Sequence, residues 1–258
     1  MESSSRKYRL EHQLQDSLDR RRIKSTLRSL TLSRPSLIDF SSNDFLSLSA
    51  DPKLKAAFIA EIHKSSPLGS GGSRLLDGNS EYAEDLERNI ARFHGAEAGL
   101  LFNSGFDANA GFFACVPQPG DVIVYDELIH ASVHDGIHLS RAEKAVSFQH
   151  NSLCDLERVL RQLLAESLEL KNSKHNVLVA IEAIYSMDGD IAPLKGILDV
   201  VDDVLGPGRG CVVIDEAHST GVLGPRGTGL VSELGLQRRV FARLHTFGKS
   251  LAGNGGMD

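Results

Sequence analysis

The alternation of two kinds of apolar pattern constrains this chain most. After Pro35, short runs rich in valine, isoleucine and phenylalanine alternate with longer stretches of helical periodicity. Such alternation is typical of α/β domains, in which helices pack on a sheet. We predict strands at Leu37–Phe40, Gly99–Phe102, Asp121–Tyr125, Ala145–Phe148, Val177–Glu182, Cys211–Asp215 and Val240–His245. Functional loops are expected at the carboxyl ends of these strands.

Helical patterns stand both between the strands and ahead of the domain. The clearest two between the strands are Ser80–Phe93, with Gly95 as its C-terminal cap, and Ser152–Leu170. From Arg9 to Leu30, apolar residues recur at spacings of three to five in a charged background, which predicts an amphipathic helix. We therefore expect a helical arm at residues 1–35 and a large domain at residues 36–258.

Composition and charge narrow the classes of function. The 258 residues include 28 basic and 34 acidic side chains, and the net charge of −6 argues against nucleic-acid binding. Three widely spaced cysteines favour neither a disulfide framework nor a zinc site. The start, Met1 to Gln15, is polar, and no apolar run approaches the roughly 18 residues of a membrane span. We expect a cytoplasmic protein without a membrane partner.

The predicted strand that ends at Asp215 delivers an acidic pair, with His218 close behind. One interpretation is the Asp-Glu-Ala-His box of a nucleotide-hydrolysing motor. That class requires a Gly-x-x-x-x-Gly-Lys-Ser/Thr loop earlier in the chain. The only Gly-Lys-Ser, Gly248–Ser250, comes after Asp215 and has Arg243 at the first glycine position. A motor is therefore excluded, which leaves a solvated acidic turn or a different chemistry.

The second interpretation joins Asp215 to Lys249. Pyridoxal phosphate (PLP) needs a lysine that forms a Schiff base and a carboxylate that keeps its pyridine nitrogen protonated. A buried aspartate at one strand end and a lysine after the next strand supply both. The ordinary alternative is a surface position for Lys249, because most lysines are exposed.

Three further loops carry residues that suit a binding site. Ser104-Gly105 stands between a strand and a helical pattern, where backbone amides can bind phosphate; an ordinary connection is the alternative. Gly69–Gly78 lacks the Gly-x-Gly-x-x-Gly dinucleotide pattern and is interpreted as a surface turn. Ser186–Asp190 is either a site loop or a turn rich in aspartate and glycine.

His130, His134 and His138 are spaced four apart, so they would share one face of a helix. This spacing suits a metal ion, but no carboxylate ligand accompanies it, and we expect a half-exposed row of histidines without metal. His130 alone, just past a predicted strand, is placed to face a site. Arg28, within the arm, is interpreted as a solvated helix charge.

The order and spacing of these segments closely resemble the α-oxoamine synthases, which are PLP enzymes of the aspartate aminotransferase fold. The resemblance covers nearly the whole chain. It is carried by Leu18–Leu30, Ser42–Leu46, Gly69–Gly78, Asn103–Phe106, His130–Ser132, Ser186–Asp190, Asp215–Val222 and Thr246–Lys249. It implies an α/β large domain of PLP fold type I, with a mostly parallel sheet flanked by helices.

The resemblance also implies roles for the matching positions. Lys249 would bind the cofactor covalently and act as a base, Asp215 would pair with the pyridine nitrogen, and His130 would stack on the ring. The remaining contacts would be Ser186 and His218 at the ring hydroxyl, the Gly105 and Phe106 backbones with Thr246 at the phosphate, and Asn43, Arg28 and His130 at the substrate.

Members of this family condense an amino acid with an acyl-CoA thioester and release CO2 and CoA. The arm and the Asp215–Gly224 run look most like the branch of biotin biosynthesis, which joins L-alanine to pimeloyl-CoA or pimeloyl carrier protein. Relatives that use glycine or serine with another acyl-CoA are the alternative. The resemblance further implies a homodimer, in which two subunits build the site.

Family members continue past the lysine into further strands and a smaller C-terminal domain. Here the sequence stops at Asp258, nine residues after Lys249. We therefore expect a large domain that is incomplete at its C-terminal end, with the C-terminal domain absent. A truncated, non-catalytic relative is then a second hypothesis, and a peroxisomal location is the alternative where a longer C-terminus exists.

Overall fold

The structure is a computed structural model that describes residues 8–30, 32, 38–64 and 69–257. The chain divides into two compact units, residues 1–41 and residues 42–258. The first unit contains helix α1 (Arg9–Ile23), none of whose residues is buried within the chain. The second unit contains the sheet and the other helices.

Helix α1 confirms the predicted arm helix as far as Ile23, but the prediction is wrong for residues 24–30. Ser25 adopts a left-handed backbone with φ of 55°. The amides of Thr26 and Leu27 both bond back to the carbonyl of Arg21, at 2.9 and 3.2 Å, which closes the last turn. Arg28 therefore lies outside the helix and is exposed.

Seven strands of the described residues form one sheet. They are β1 (Leu101–Phe102), β2 (Val122–Asp126), β3 (Lys144–Phe148), β4 (Val177–Glu182), β5 (Gly210–Asp215), β6 (Ala242–Thr246) and β7 (Gly256–Met257). Their order across the sheet is β1-β7-β6-β5-β4-β2-β3. The pairings among β2 to β6 are parallel, and β7 runs antiparallel to both β1 and β6. The mostly parallel sheet predicted by the resemblance is confirmed.

Helices cover both faces of this sheet. The remaining α-helices are α2 (Pro52–Lys64), α3 (Glu81–His94), α4 (Gly105–Cys115), α5 (Ala131–Leu139), α6 (Leu153–Glu166), α7 (Leu168–Lys171), α8 (Leu194–Leu205) and α9 (Leu230–Glu233). Short 3-10 helices lie at Leu48–Ala50, Pro225–Gly227 and Gln237–Arg239. None of the helices in the described part of the chain is both long and apolar enough to cross a membrane.

The two faces explain why β4 is buried along its whole length. Its residues Val177, Val179 and Ile181 belong to a core cluster that includes side chains of α6 and α8. The alternate residues Leu178 and Ala180 belong to a second cluster with side chains of α4 and α5. Because successive side chains of a strand point to opposite faces, a strand between two helical layers is apolar throughout.

Two more predicted elements differ from the structure. Leu37 lies outside the described residues, and residues 38–40 form no strand; Ile38 and Phe40 are exposed. The helix expected over Ser152–Leu170 divides at Ser167, whose extended backbone ends α6 and whose hydroxyl accepts from the Leu170 amide to begin α7. By contrast, the predicted cap Gly95 is confirmed, with φ of 67° at the end of α3.

Candidate active site

Five segments bring polar groups to the carboxyl edge of the sheet. The parallel register pairs Glu182, the last residue of β4, with Asp215, the last residue of β5. Strand β6 ends beside them at Thr246. The connections that leave β1 and β2 at this edge carry Gly105 and His130. The edge of a parallel sheet is where such loops converge, so the topology places these groups together.

Asp215 is the anchored carboxylate of this edge. It is 7% exposed. Its Oδ2 accepts a hydrogen bond from Asn109 Nδ2 at 2.7 Å, and its Oδ1 accepts from the Ala217 amide at 2.8 Å. Both partners are donors, so they stabilise the ionised carboxylate and fix its orientation. Asn109, on the second turn of α4, had no distinguishing signal in the sequence.

Lys249 lies in the loop after β6, and its Nζ is 2.9 Å from His218 Nε2. Burial lowers the pKa of Lys249, and this outweighs the raising effect of the negative charges on Asp215 and Glu182. Burial, together with the Lys249 charge, lowers the pKa of His218 to about 4. The imidazole is therefore neutral at pH 7 and accepts a hydrogen bond from the lysine.

Glu182 is a member of this group that the sequence analysis missed as a functional residue. It is 2% exposed, and its Oε1 is buried without a hydrogen-bond partner in the described chain. Burial and the adjacent charge of Asp215 raise the pKa of Glu182 to about 8, against the lowering effects of the Lys249 charge and the His130 amide. A carboxyl at the end of the fully apolar run Val177–Ile181 was the available signal, because such a strand end is buried.

His130 precedes α5 and caps it. Its Nδ1 is 2.7 Å from Ser132 Oγ and accepts from the Ser132 amide at 3.2 Å. Its ring meets that of Phe106 edge to face, at 6.1 Å between centroids. Its amide lowers the pKa of Glu182, so His130 lies beside that carboxyl.

The other two histidines of the predicted row do not join His130. As the cap residue, His130 stands outside helix α5, which carries His134 and His138. His134 packs edge to face on Tyr125, and His138 is exposed. No group of three histidine, cysteine or carboxylate side chains within the described ranges is arranged to hold a metal ion.

Helix α4 begins at Gly105 and points its amino end at this edge. The hydroxyl of Ser104 caps it by accepting from the Asp107 amide at 3.0 Å. A Cβ on Gly105 would lie 2.8 Å from the Cβ of Thr246, closer than side-chain atoms pack. Glycine thus lets Thr246 approach the first turn, where helix amides lack intrahelical partners and attract anions.

Two of the predicted residues, Ser186 and Asn43, are not joined to this cluster by any hydrogen bond within the described chain. Ser186 is exposed in the turn that follows β4. Asn43 is also exposed, although Phe45, two residues on, lies with its ring 6.2 Å from that of His218. Arg28 belongs to the first unit of the chain.

A cleft of about 1080 Å³ lies elsewhere, between the end of α3 and the strand β6. Its walls include His94 and His245, whose rings stack at 3.7 Å between centroids. Lys249, Asp215 and His130 are not among the residues that line it. The polar cluster at the sheet edge is therefore a separate feature from this cleft.

Comparisons with known proteins agree with this geometry. A family model described as aminotransferase class I and II matches residues 35–257. An 8-amino-7-oxononanoate synthase from Emericella nidulans is 53% identical, over 95% of this chain and 60% of that protein. The aminoacyl transferase sphA from Aspergillus fumigatus is 42% identical, over 94% of this chain and 53% of its own length. The chain thus spans about half to 60% of the length of these relatives.

A solved structure supports the fold and the family together. A serine palmitoyltransferase variant from S. paucimobilis, with a bound PLP–myriocin aldimine, has a TM-score of 0.79 and 26% identity. The match covers 97% of this chain and 63% of that one. The resemblance drawn from the motifs and the fold class it implied are both confirmed.

Proposed function

Because the chain belongs to the aminotransferase class I and II family, we propose that it is a PLP-dependent acyltransferase with its cofactor site at the carboxyl ends of β4, β5 and β6. One observation carries the proposal. The Lys249 amine, 2.9 Å from the neutral imidazole of His218, stands close enough to the anchored carboxylate of Asp215 for its charge to act on the lysine pKa.

The residues present fit PLP in charge and in donor chemistry. Lys249 would bind it covalently, and Asp215 would face its pyridine nitrogen. The amino end of α4 and the hydroxyl of Thr246 would hold the phosphate, where the absence of a Cβ on Gly105 leaves room. Further contacts in the proposal are His130 on the ring face, the Phe106 backbone at the phosphate, and His218 and Ser186 at the ring hydroxyl. When bound, PLP withdraws electrons from the α-carbon of an amino acid.

The protein side of the chemistry follows from the charges. A lysine of lowered pKa is more readily neutral at pH 7, so Lys249 can accept a proton from the α-carbon of the substrate. Asn109 and the Ala217 amide orient the Asp215 carboxylate, and an ionised carboxylate keeps a proton on a facing pyridine nitrogen. His130, fixed by its bonds to Ser132, would restrict the ring and polarise the carbonyl that is attacked.

For the substrates we propose L-alanine and pimeloyl-CoA, or pimeloyl carrier protein. Their condensation gives 8-amino-7-oxononanoate, CO2 and CoA in biotin biosynthesis. The 53% identity to a synthase of that name supports this choice. The 42% identity to an aminoacyl transferase supports the alternative, glycine or serine with another acyl-CoA. Asn43 and Arg28 remain the proposed substrate contacts, and a cytoplasmic homodimer the proposed form.

The test presents purified chain and PLP with three substrate pairs: L-alanine with pimeloyl-CoA, and glycine or L-serine with a long-chain acyl-CoA. The three cysteines are free thiols, so the condensation products are quantified by mass spectrometry rather than with a thiol reagent. We expect 8-amino-7-oxononanoate from the first pair and none from the Lys249→Ala variant. Product from another pair alone identifies the alternative substrate class. A folded, PLP-loaded chain that gives no product with any pair contradicts the proposed activity.

A further inference from the structure

A second polar cluster lies at the same sheet edge, and none of its members takes part in the chemistry proposed above. Its centre is His150, two residues beyond β3. Its Nδ1 is 2.8 Å from Oδ1 of Asp126, the last residue of β2. Its Nε2 is 2.7 Å from Oδ2 of Asp190, at the far end of the turn after β4. One imidazole thus joins Asp126 and Asp190, which are 24 and 40 residues from it in sequence.

These contacts decide the protonation state of the ring. Ionised carboxylates only accept hydrogen bonds, so an imidazolium, with hydrogen on both ring nitrogens, satisfies both contacts. Asn151 Nδ2 lies 3.2 Å from His150 Nε2, and both nitrogens share Asp190 Oδ2 as their acceptor. Burial acts to lower the pKa of His150, but the hydrogen bonds and charges of Asp126 and Asp190 outweigh it and raise the pKa. The other ionisable groups in contact are Glu127, which accepts from the His150 amide at 3.0 Å, and Tyr185, whose ring lies 4.4 Å away.

Asp190 connects the charge of His150 to the turn at residues 185–190. The Tyr185 amide donates to the Asp190 carbonyl at 3.0 Å, and the Gly189 amide donates to the Tyr185 carbonyl at 2.9 Å. The Asp190 carboxylate also accepts from Asn151 Nδ2 at 2.7 Å. The last residue of the turn, Asp190, is therefore bound through its carboxylate by His150 and Asn151, which lie outside the turn. Ser186 is part of this turn and has no hydrogen bond of its own in the described structure.

We propose that His150 is a positioning residue, whose imidazolium ties Asp190 to Asp126 and thereby fixes the turn that carries Ser186. We call the contacts of His150 with Asp126 and Asp190 the clamp. Its link to cofactor binding rests on the proposed function, in which Ser186 contacts PLP, whereas the clamp itself does not depend on that function. Removal of the ring, or loss of its second proton as the pH rises through the pKa of His150, releases one carboxylate and loosens the turn.

The test measures hydrogen exchange at the Tyr185 and Gly189 amides by NMR in the purified chain without PLP, as protection factors across pH. Protection falls in the wild type as the pH rises through the pKa of His150. Below that pKa, His150→Gln lowers protection by about tenfold, the effect of a lost charge-assisted hydrogen bond, and it removes the pH step. The matched control His138→Gln, at an exposed histidine on α5, leaves the protection factors and the pH step unchanged. Unaltered protection and an unaltered pH step in His150→Gln would overturn the proposal.

Two further measurements keep the test decisive. If His150→Gln does not fold by circular dichroism, Asp190→Asn takes its place, because it keeps the side-chain shape and removes the charge that His150 binds. PLP affinity is then measured in each folded variant. If the clamp positions Ser186 for the cofactor, PLP affinity is lowered about tenfold in the variant whose turn is loosened, His150→Gln or Asp190→Asn. Faster hydrogen exchange with unchanged PLP affinity refutes the positioning role. A wild type that binds no PLP refutes the proposed function, and the clamp is then tested by the hydrogen-exchange result alone.

Discussion

At the scale of single residues, the site holds three ionisable groups whose charges depend on one another. Hydrogen bonds from Asn109 and the Ala217 amide hold the Asp215 carboxylate, and its negative charge favours a proton on Glu182 next to it. Burial lowers the pKa of Lys249, and this effect outweighs the raising effect of the Asp215 and Glu182 carboxyls. A protonated Glu182 leaves Asp215 as the only negative group of the pair, which is the arrangement that a cationic ring nitrogen requires.

The pH dependence of stability tests the state of Glu182. Its folded pKa of about 8 exceeds the ordinary 4.5, so the folded chain retains a proton that the unfolded chain loses between these values. Stability from this residue is fully present below pH 4.5 and falls as the pH rises toward 8. Glu182→Gln keeps the shape of the side chain without ionising. We expect its free energy of unfolding, relative to that of the wild type, to increase by more than about 1 kcal/mol from pH 5 to pH 8.5.

The measurement is urea unfolding of the chain without PLP at both pH values. Glu143→Gln, at an exposed glutamate ahead of β3, is the matched control and should show no such gain. An advantage of Glu182→Gln that is the same at both pH values would show that Glu182 titrates normally.

At the scale of elements, the loop at residues 69–78 is more firmly held than a surface turn. Arg74 binds Glu87 of α3 through two guanidinium nitrogens, one of them at 3.0 Å. Glu87 also accepts from the Leu101 amide at 2.8 Å, so one carboxylate joins the loop, α3 and β1. Burial works to raise the pKa of Glu87, but its bonds to Arg74 and Leu101 outweigh this and lower it.

We expect Arg74→Ala to destabilise the chain by about 1 kcal/mol, because it leaves the half-buried Glu87 carboxylate without its cation. The free energy of unfolding in urea measures this. Arg88→Ala is the control, since Arg88 pairs with Glu84 and Asp85 on the exposed side of the same helix. An equal loss of stability in both variants would mean that Arg74 makes only a surface ion pair.

The central strands β4 and β5 could be predicted because a strand between two helical layers is apolar along its length, and each of these two ends in a single carboxylate, Glu182 or Asp215. Peripheral elements were less predictable. Residues 38–40 have a strand-like composition but no neighbouring strand in the described structure, and β7 is two residues long, too short to show alternation. The contribution of Asn109 depends on how α4 packs over β5, which no local pattern reveals.

At the scale of the whole molecule, the described part of the chain contains a seven-stranded sheet with the proposed cofactor residues at one edge. The residues proposed for the substrates, Arg28 and Asn43, fall in different units of the chain. The relatives extend well beyond the matched region, which is 60% of one and 53% of another. Cofactor binding is therefore the property that the described residues support most directly.

The most direct test of that property is an absorbance spectrum of the purified chain after incubation with PLP and desalting, with and without L-alanine. We predict that the wild type retains PLP with the long-wavelength absorbance of a lysine-bound cofactor, that L-alanine perturbs this absorbance, and that Lys249→Ala abolishes it. A folded wild type that retains no PLP, or a Lys249→Ala variant with the same absorbance, would contradict PLP binding through Lys249.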